Sequence, residues 1–452
     1  MERGPRDDRW PDGLSAGRSS PRRALVAAGI GNVVEWYDFA LFGALATVLA
    51  RTYFPGEDRD AGLLATFAVF ATAFVFRPVG ALVFGGRGDR HGRRQVLALT
   101  IILMTLATAG VGLLPGYAAI GPLAPVLLIV LRVVQGLSAG GEAGAASAFA
   151  VEYAPAGRRG WYGGWIWATL AVGLAAATAA AVLVASRVPQ GVPPGWGWRL
   201  PFLAALPVGL VGLYLRLRLD ETPPFRAVRS ARADAGWPVG EAVRAFPGRM
   251  LAGLTLAAAA SLTFNTFFIH LPSHLVAEVG IPLSQALAGA LLGLVVMAAA
   301  APAMGWLSDR VGRRPLLAAA TVGLAGLTLP IYLLVRGGGP GGLLLGYLAL
   351  GVLLSGFVLP SSLAELFPTQ VRVSGLAVTY GLGSALFGGT APFVQTLLLQ
   401  RTGNPLLPAG YVTAMAVAAA LAVLLLRETA FEPLDAASAD GRSRVTLMDS
   451  PS

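Results

Sequence analysis

The stretch Gly85–Arg94, GGRGDRHGRR, returns as Gly305–Arg314, GWLSDRVGRR. Both copies spell G-x-x-x-D-R-x-G-R-R, with Gly85, Asp89, Arg90, Gly92, Arg93 and Arg94 in the first and Gly305, Asp309, Arg310, Gly312, Arg313 and Arg314 in the second. Clustered arginines alone would mark only loops held on one side of a membrane; fixed Gly and Asp between them mark a duplication. Each copy follows a long apolar run. Two halves of equal span number, related by an axis along the membrane normal, would put the two loops in equivalent places and a substrate path between the halves.

Outward from the repeat, apolar runs bounded by Arg, Pro and Gly clusters predict spans over 24–50, 62–86, 95–115, 122–150, 162–185, 200–219, 250–276, 283–306, 315–336, 343–366, 374–398 and 408–427. The expected fold is an all-α membrane protein, twelve transmembrane helices in two pseudo-symmetric six-helix bundles. Residues 24–219 form the first bundle and 250–427 the second, joined by a cytoplasmic linker over 220–249. Polar tails over 1–23 and 428–452 are expected to be disordered. The first apolar run is interrupted by Glu35 and Asp38 and has no convincing cleavage site, so it reads as a retained span rather than a signal peptide.

Composition agrees. The 452 residues are 55% hydrophobic and 13% charged with a mean hydropathy of +0.66, against roughly 25% charged in soluble domains; a water-soluble globule is excluded. All basic residues are Arg, and the net charge of +10 is a topology signal rather than a nucleic-acid surface. Segments assigned to the cytoplasm carry twenty-six arginines, whereas the outer loops carry only Arg51, Arg59, Arg187, Arg199, Arg336 and Arg401. This bias puts both termini in the cytoplasm of a multi-pass cell-membrane protein. Without Cys there are no disulfides, thiolate metal sites or cysteine nucleophiles. Without Lys there is no G-x-x-x-x-G-K-[ST] loop, and no H-E-x-x-H occurs. No enzyme, cofactor, metal or nucleic-acid partner is expected.

The repeated loop resembles the signature of the major facilitator superfamily. Further runs resemble its metabolite:proton symporter branch: GNVVEWYDF at Gly31–Phe39, RPVG at Arg77–Gly80, RVVQGLSAGGE at Arg132–Glu142, DETPPF at Asp220–Phe225 and ELFPTQVR at Glu365–Arg372. The resemblance spans roughly 24–427. It implies proton-coupled uptake of a small metabolite; the branch includes permeases for proline and glycine betaine, α-ketoglutarate, citrate and shikimate.

Ionisable groups inside spans are costly and hence functional candidates. Glu35 and Asp38 share a helix face with Gly31 and Phe42, and Arg132 shares one with Gln135, Gly136 and Gly140. Arg77 and Glu142 complete the set. Three carboxylates against two guanidiniums leave one carboxylate unpaired, able to take and release a proton. Glu35, Asp38 and Glu142 are therefore the proton-coupling candidates. Arg77, Arg132 and Gln135 are the substrate-binding candidates, since an arginine fork holds a carboxylate, with Asn265 and Tyr380 from the second half. The aspartates and arginines of the two motif loops are expected to gate the cytoplasmic side. Counting from Met250 puts His270 and His274 about 30–36 Å along the seventh span, as outer-surface polar caps. The expected partners are the lipid bilayer, protons and a small molecule, with the monomer as functional unit. The two arginines favour a mono- or dicarboxylate. A proline/betaine-type zwitterion is the alternative, and a non-transporting sensor of the same fold the second alternative.

Overall fold

A computed structural model describes residues 21–56, 59–187, 196–218, 238–337 and 339–434. Most of the expected N-terminal tail, positions 219–237 of the linker and the tail beyond 434 lie outside the described residues. Among the described residues twelve helices are long and apolar enough to cross a membrane. Spans 1 to 6 are Leu25–Ala44, Leu64–Gly88, Arg94–Leu113, Leu123–Tyr153, Arg159–Val184 and Trp196–Leu217. Spans 7 to 12 are Pro247–His274, Leu283–Val311, Arg313–Gly337, Gly339–Glu365, Arg372–Leu399 and Leu407–Leu424. Their outer faces present apolar side chains such as Leu113, Leu183, Leu210, Leu345 and Leu424, a surface suited to lipid.

Small residues set the tightest contacts. Gly136 and Gly140 of span 4 meet backbone atoms of Ala73 and Arg77 in span 2 so closely that a Cβ on either would collide. Between the halves, Gly164 of span 5 lies against Ala301 of span 8, and Gly160 against Gly305. Without a hydrophobic drive between helices in lipid, such backbone approach and its dispersion energy are what hold spans together.

The two motif loops repeat in geometry as well as sequence. Gly92 has φ 113° and Gly312 φ 107°, a region closed to residues with a Cβ, so the same motif glycine turns the chain at both places. The face carrying these loops is called the motif face below. The helix Pro238–Ala245 packs there, against span 2 and span 11, so the end of the expected linker is ordered.

In the first half span 6 opens on a 3-10 turn over Trp196–Arg199 and is interrupted at Ala204; three spans of the second half depart from simple α geometry within their length. Span 7 turns π-helical over Asn265–His270, and the chain does so again over Leu275–Val279; span 11 does so over Ser384–Gly389. Span 10, expected to be continuous over 343–366, breaks between Ser355 and Leu359. There Val358 holds φ 35° and ψ 37° with no exposure, a conformation unusual for a β-branched residue.

Candidate functional site

Three ion pairs are buried among the first six spans. Arg77 Nη2 donates to Glu35 Oε1 at 2.8 Å, and both side chains are 1% exposed. Arg132 Nη1 donates to Asp38 Oδ2 at 2.9 Å, and Gln135 Nε2 donates to Asp38 Oδ1 at 2.7 Å while accepting from Arg132 at 2.8 Å. The third pair joins Glu142 to Arg216: Nη1 donates at 3.1 Å, Nη2 makes a closer contact, and the Thr100 hydroxyl donates to the same carboxylate.

Arg216 corrects the charge count. By sequence it belongs with the cytoplasmic arginines at the end of span 6, yet it has no exposure and ties span 6 to the Ala27 and Leu97 carbonyls as well as to Glu142. Apart from Glu152 and Arg159 at the motif face, the first half therefore buries three carboxylates and three guanidiniums among the described residues, and the expected surplus carboxylate disappears. A charge withdrawn from water needs such a partner.

The three pairs differ in what they leave open. Both oxygens of Asp38 and both of Glu142 accept hydrogen bonds. Glu35 Oε2 is the one carboxylate oxygen of the three pairs buried without a hydrogen-bond partner among the described residues, and Arg77 Nε and Nη1 and Arg132 Nε and Nη2 are donors buried without one. Aromatic rings surround the guanidiniums: Arg77 Cζ lies 4.3 Å from the Phe39 ring centre, 4.7 Å from Phe74 and 5.1 Å from Trp36, and Arg132 Cζ 4.3 Å from Phe42. Ring faces favour cations, which offsets part of the desolvation of both arginines.

Beside Trp36 a cavity opens between the halves. Asn32, Trp36 and Trp167 line it from the first half, and Leu359, Leu363 and Tyr380 from the second. Tyr380 also lies close enough to Arg77 and Glu35 to feel their charges, so it links the cavity to the Glu35–Arg77 pair. Trp167 Nε1 donates to the Leu354 carbonyl at 2.9 Å, an acceptor it shares with the Phe357 amide at 3.3 Å where span 10 breaks. Arg132 and Gln135 are engaged with Asp38. Asn265 bonds within its own helix to Ser261 and sits against Gly388 of span 11, away from the cavity lining. His270 and His274 are stacked at 5.8 Å and only 6% and 8% exposed, which replaces the expected surface caps with a buried pair.

The motif face is closed by polar contacts between halves. Asp309, from the second-half motif, accepts from the Gly160 and Trp161 amides at 2.7 and 2.8 Å, capping the start of span 5 in the other half. Arg313 joins Asp309 at 2.9 Å to Glu365 at 3.0 Å, and Arg159 reaches Glu365 at 3.3 Å from the first half. Arg372 donates to Glu152 at 2.7 Å across the same boundary. The chain after span 12 folds over this cluster: Glu428 accepts from the Arg313 and Arg314 amides, and Arg159 donates to the Ala430 and Glu432 carbonyls. In the first-half motif, Gly85 and Gly88 pack on Ser374 and Val373 at the start of span 11. The side chains of Asp89 and Arg93 lie outside the described residues. Arg90 and Arg310 are at the surface, Arg310 over the Trp306 ring at 3.8 Å, and Arg94 donates to the Leu217 carbonyl.

Glu152, Arg159, Arg216, Glu365, Arg372 and Glu428 were not among the sequence candidates. Glu365 and Arg372 do bound one of the family-like runs, which was the available signal; nothing local distinguishes Arg216 or Glu428.

Comparison with known proteins places this geometry. The chain is 36% identical to the glycine betaine/proline/ectoine/pipecolic acid transporter OusA of Dickeya dadantii, over 92% of this chain and 85% of that one. It is 34% identical to the proline/betaine transporter of Escherichia coli, with the same coverage, and 35% identical to the ectoine/proline transporter ProP of Corynebacterium glutamicum, over 91% and 85%. In fold it is similar to the proton:xylose symporter XylE, with a TM-score of 0.74 at 17% identity over 93% of this chain and 98% of that one. The family description Major Facilitator Superfamily matches residues 28–367. Twelve spans, a duplicated loop with the same turn glycine, a cavity between the halves and these relatives converge: the chain belongs to the Major Facilitator Superfamily and is a multi-pass membrane transporter, not an enzyme.

Proposed function

We propose that the chain imports compact zwitterionic osmolytes of the proline and betaine class together with protons, by alternating access, as a monomer in the cell membrane. The motif face and both termini lie in the cytoplasm, as the arginine bias requires. One observation carries the substrate class: Arg77 and Arg132 are already neutralised by Glu35 and Asp38. A dicarboxylate would bring two negative charges to a site where one proton on Glu35 releases a single guanidinium, whereas a zwitterion adds no net charge. The names of the relatives point the same way.

Glu35 is the proton carrier. Its Oε2 has no partner, so a proton can add there without breaking an existing bond, whereas Asp38 and Glu142 would each lose one. Protonation removes the negative partner of Arg77 and frees its fork for the substrate carboxylate, which Tyr380 helps to orient. The closed motif face then opens as the Asp309 cap, the Arg159–Glu365–Arg313 cluster and the Arg372–Glu152 pair separate. Release of substrate inside returns Arg77 to Glu35, and the proton leaves on the same side. One neutral zwitterion with one proton carries one positive charge inward, which a membrane potential favours by about 2.3 kcal/mol per 100 mV.

The test is accumulation of labelled proline and trimethylglycine in proteoliposomes under an imposed inward proton gradient. The wild-type chain accumulates both, and Glu35→Gln loses gradient-driven accumulation while keeping exchange of substrate across the membrane. Accumulation of a dicarboxylate in place of the zwitterions overturns the substrate class. Full accumulation by Glu35→Gln overturns the carrier assignment.

A further inference from the structure

We infer that the cavity reads the cationic end of its ligand through aromatic rings, with Trp167 as the selecting residue, and so favours N-alkylated over unalkylated ammonium groups. This rests on the zwitterion reading above and adds what discriminates among zwitterions.

No ionised side chain lines the cavity; its polar groups are few, and three of its walls are the rings of Trp36, Trp167 and Tyr380. A primary ammonium carries three donors and loses free energy unless acceptors replace its water. Asn32 donates from its amide nitrogen to the Ile166 carbonyl and the Thr169 hydroxyl, both at 3.0 Å, so its orientation is fixed; with the Ser147 hydroxyl it offers an ammonium neutral acceptors only and no carboxylate. A trimethylated ammonium needs no acceptor and spreads its charge over methyl groups that pack on ring faces.

The two tryptophans are not equivalent. The Trp36 ring already has the Arg77 guanidinium 5.1 Å from its centre, so a second cation there meets like charge. Among the described residues no guanidinium lies over Trp167, whose indole is held by the Leu354 carbonyl and by a perpendicular contact with Phe264, ring centres 5.8 Å apart. The ligand therefore lies with its ammonium toward Trp167 and its carboxylate toward Tyr380 and Arg77, whose Nε and Nη1 carry protons without partners. Because Leu359 and Leu363 close the other wall from span 10, the ammonium sits where the two halves meet.

The experiment measures binding of glycine, N,N-dimethylglycine and trimethylglycine to the purified full-length chain by calorimetry, with matched uptake in proteoliposomes. Wild-type affinity should rise with each added methyl group. Trp167→Leu should cut the trimethylglycine-to-glycine preference by about tenfold, the change expected for losing one desolvated cation–ring contact. Trp167→Phe keeps a ring but loses the bond to Leu354, so it should retain most of the preference, and Trp36→Phe should retain nearly all of it. A wild-type chain that binds glycine as tightly as trimethylglycine overturns the proposal, as does an unchanged preference in Trp167→Leu. In either case continued proton-driven betaine uptake leaves the transport reading standing, whereas failure to bind any zwitterion removes both.

Discussion

The two six-span halves share a motif loop and a fold but have divided the physical work. The first half buries three ion pairs and departs from α geometry where span 1 gives way to the helix Ala46–Tyr53 and where span 6 begins, through a 3-10 turn and a break at Ala204. Among the described residues the second half buries its charges at the motif face, as Arg313, Glu365 and Arg372, and deeper in the bundle relies on neutral groups. Gln395 donates to the Thr266 hydroxyl, Tyr347 donates to the Phe267 carbonyl at 2.7 Å, and His270 stacks on His274. Its backbone supplies what its side chains do not: π turns in spans 7 and 11 and a break in span 10. Charge can be moved by a proton without moving a helix, whereas a helix with local breaks can bend without moving charge. A transporter needs both, and here the ion pairs deep in the bundle and the π turns lie in separate halves.

The largest expected effect tests whether the first-half pairs act as units. Glu142→Ala leaves Arg216 buried and unpaired and should cost about 3–5 kcal/mol of stability, read from thermal or denaturant unfolding in detergent. The double change Glu142→Leu with Arg216→Met should recover most of that. A double variant as damaged as the single one would mean that this pair does more than hold spans 3, 4 and 6 together.

Next is the contact between halves. Gly164→Leu forces a side chain into the Ala301 backbone and should disfavour the closed motif face by about 1–3 kcal/mol. Because the chain has no Cys, a single cysteine introduced near the start of span 5 reports this directly as faster thiol labelling. Asp309→Asn weakens the cap on span 5 and should open the same face by about 0.5–2 kcal/mol, with a smaller gain in labelling. Equal labelling in both variants and wild type would show that the halves are not held by these contacts. The smallest effect belongs to the second half: Asn265→Ala removes a bond within one helix and should change stability by about 0.5–1.5 kcal/mol, with gradient-driven uptake retained. A loss of coupling there would break the division of labour.

Much of the fold was legible because hydropathy alone sets where a chain crosses a membrane, and the motif repeat marked the halves. The departures have specific causes. Span 1 ends at Ala44, and a separate helix, Ala46–Tyr53, follows it, a break that apolar composition conceals. The break at Val358 lies within an unbroken apolar run, LLSGFVLP, where only Gly356 and Pro360 give warning. At the site, Glu35, Asp38, Arg77, Arg132 and Gln135 were identifiable because charge inside a span is conspicuous. Arg216 was not: in a chain where every basic residue is Arg, a guanidinium that fixes topology and one that neutralises a buried carboxylate look alike. Their difference lies in which helix stands opposite, and that is a property of packing.

The π turns carry a consequence for how the chain tolerates changes in length. An ordinary helix advances about 100° per residue, so deleting one residue from span 4 between Arg132 and Glu142 would swing one of them off its partner. A π turn already holds a residue more than the α turn it replaces. Removing one residue within 265–270 or 384–389 would instead restore ordinary geometry and leave the flanking segments in phase. The second half can thus lose a residue at these places and keep its faces aligned, a freedom the charge-bearing half lacks.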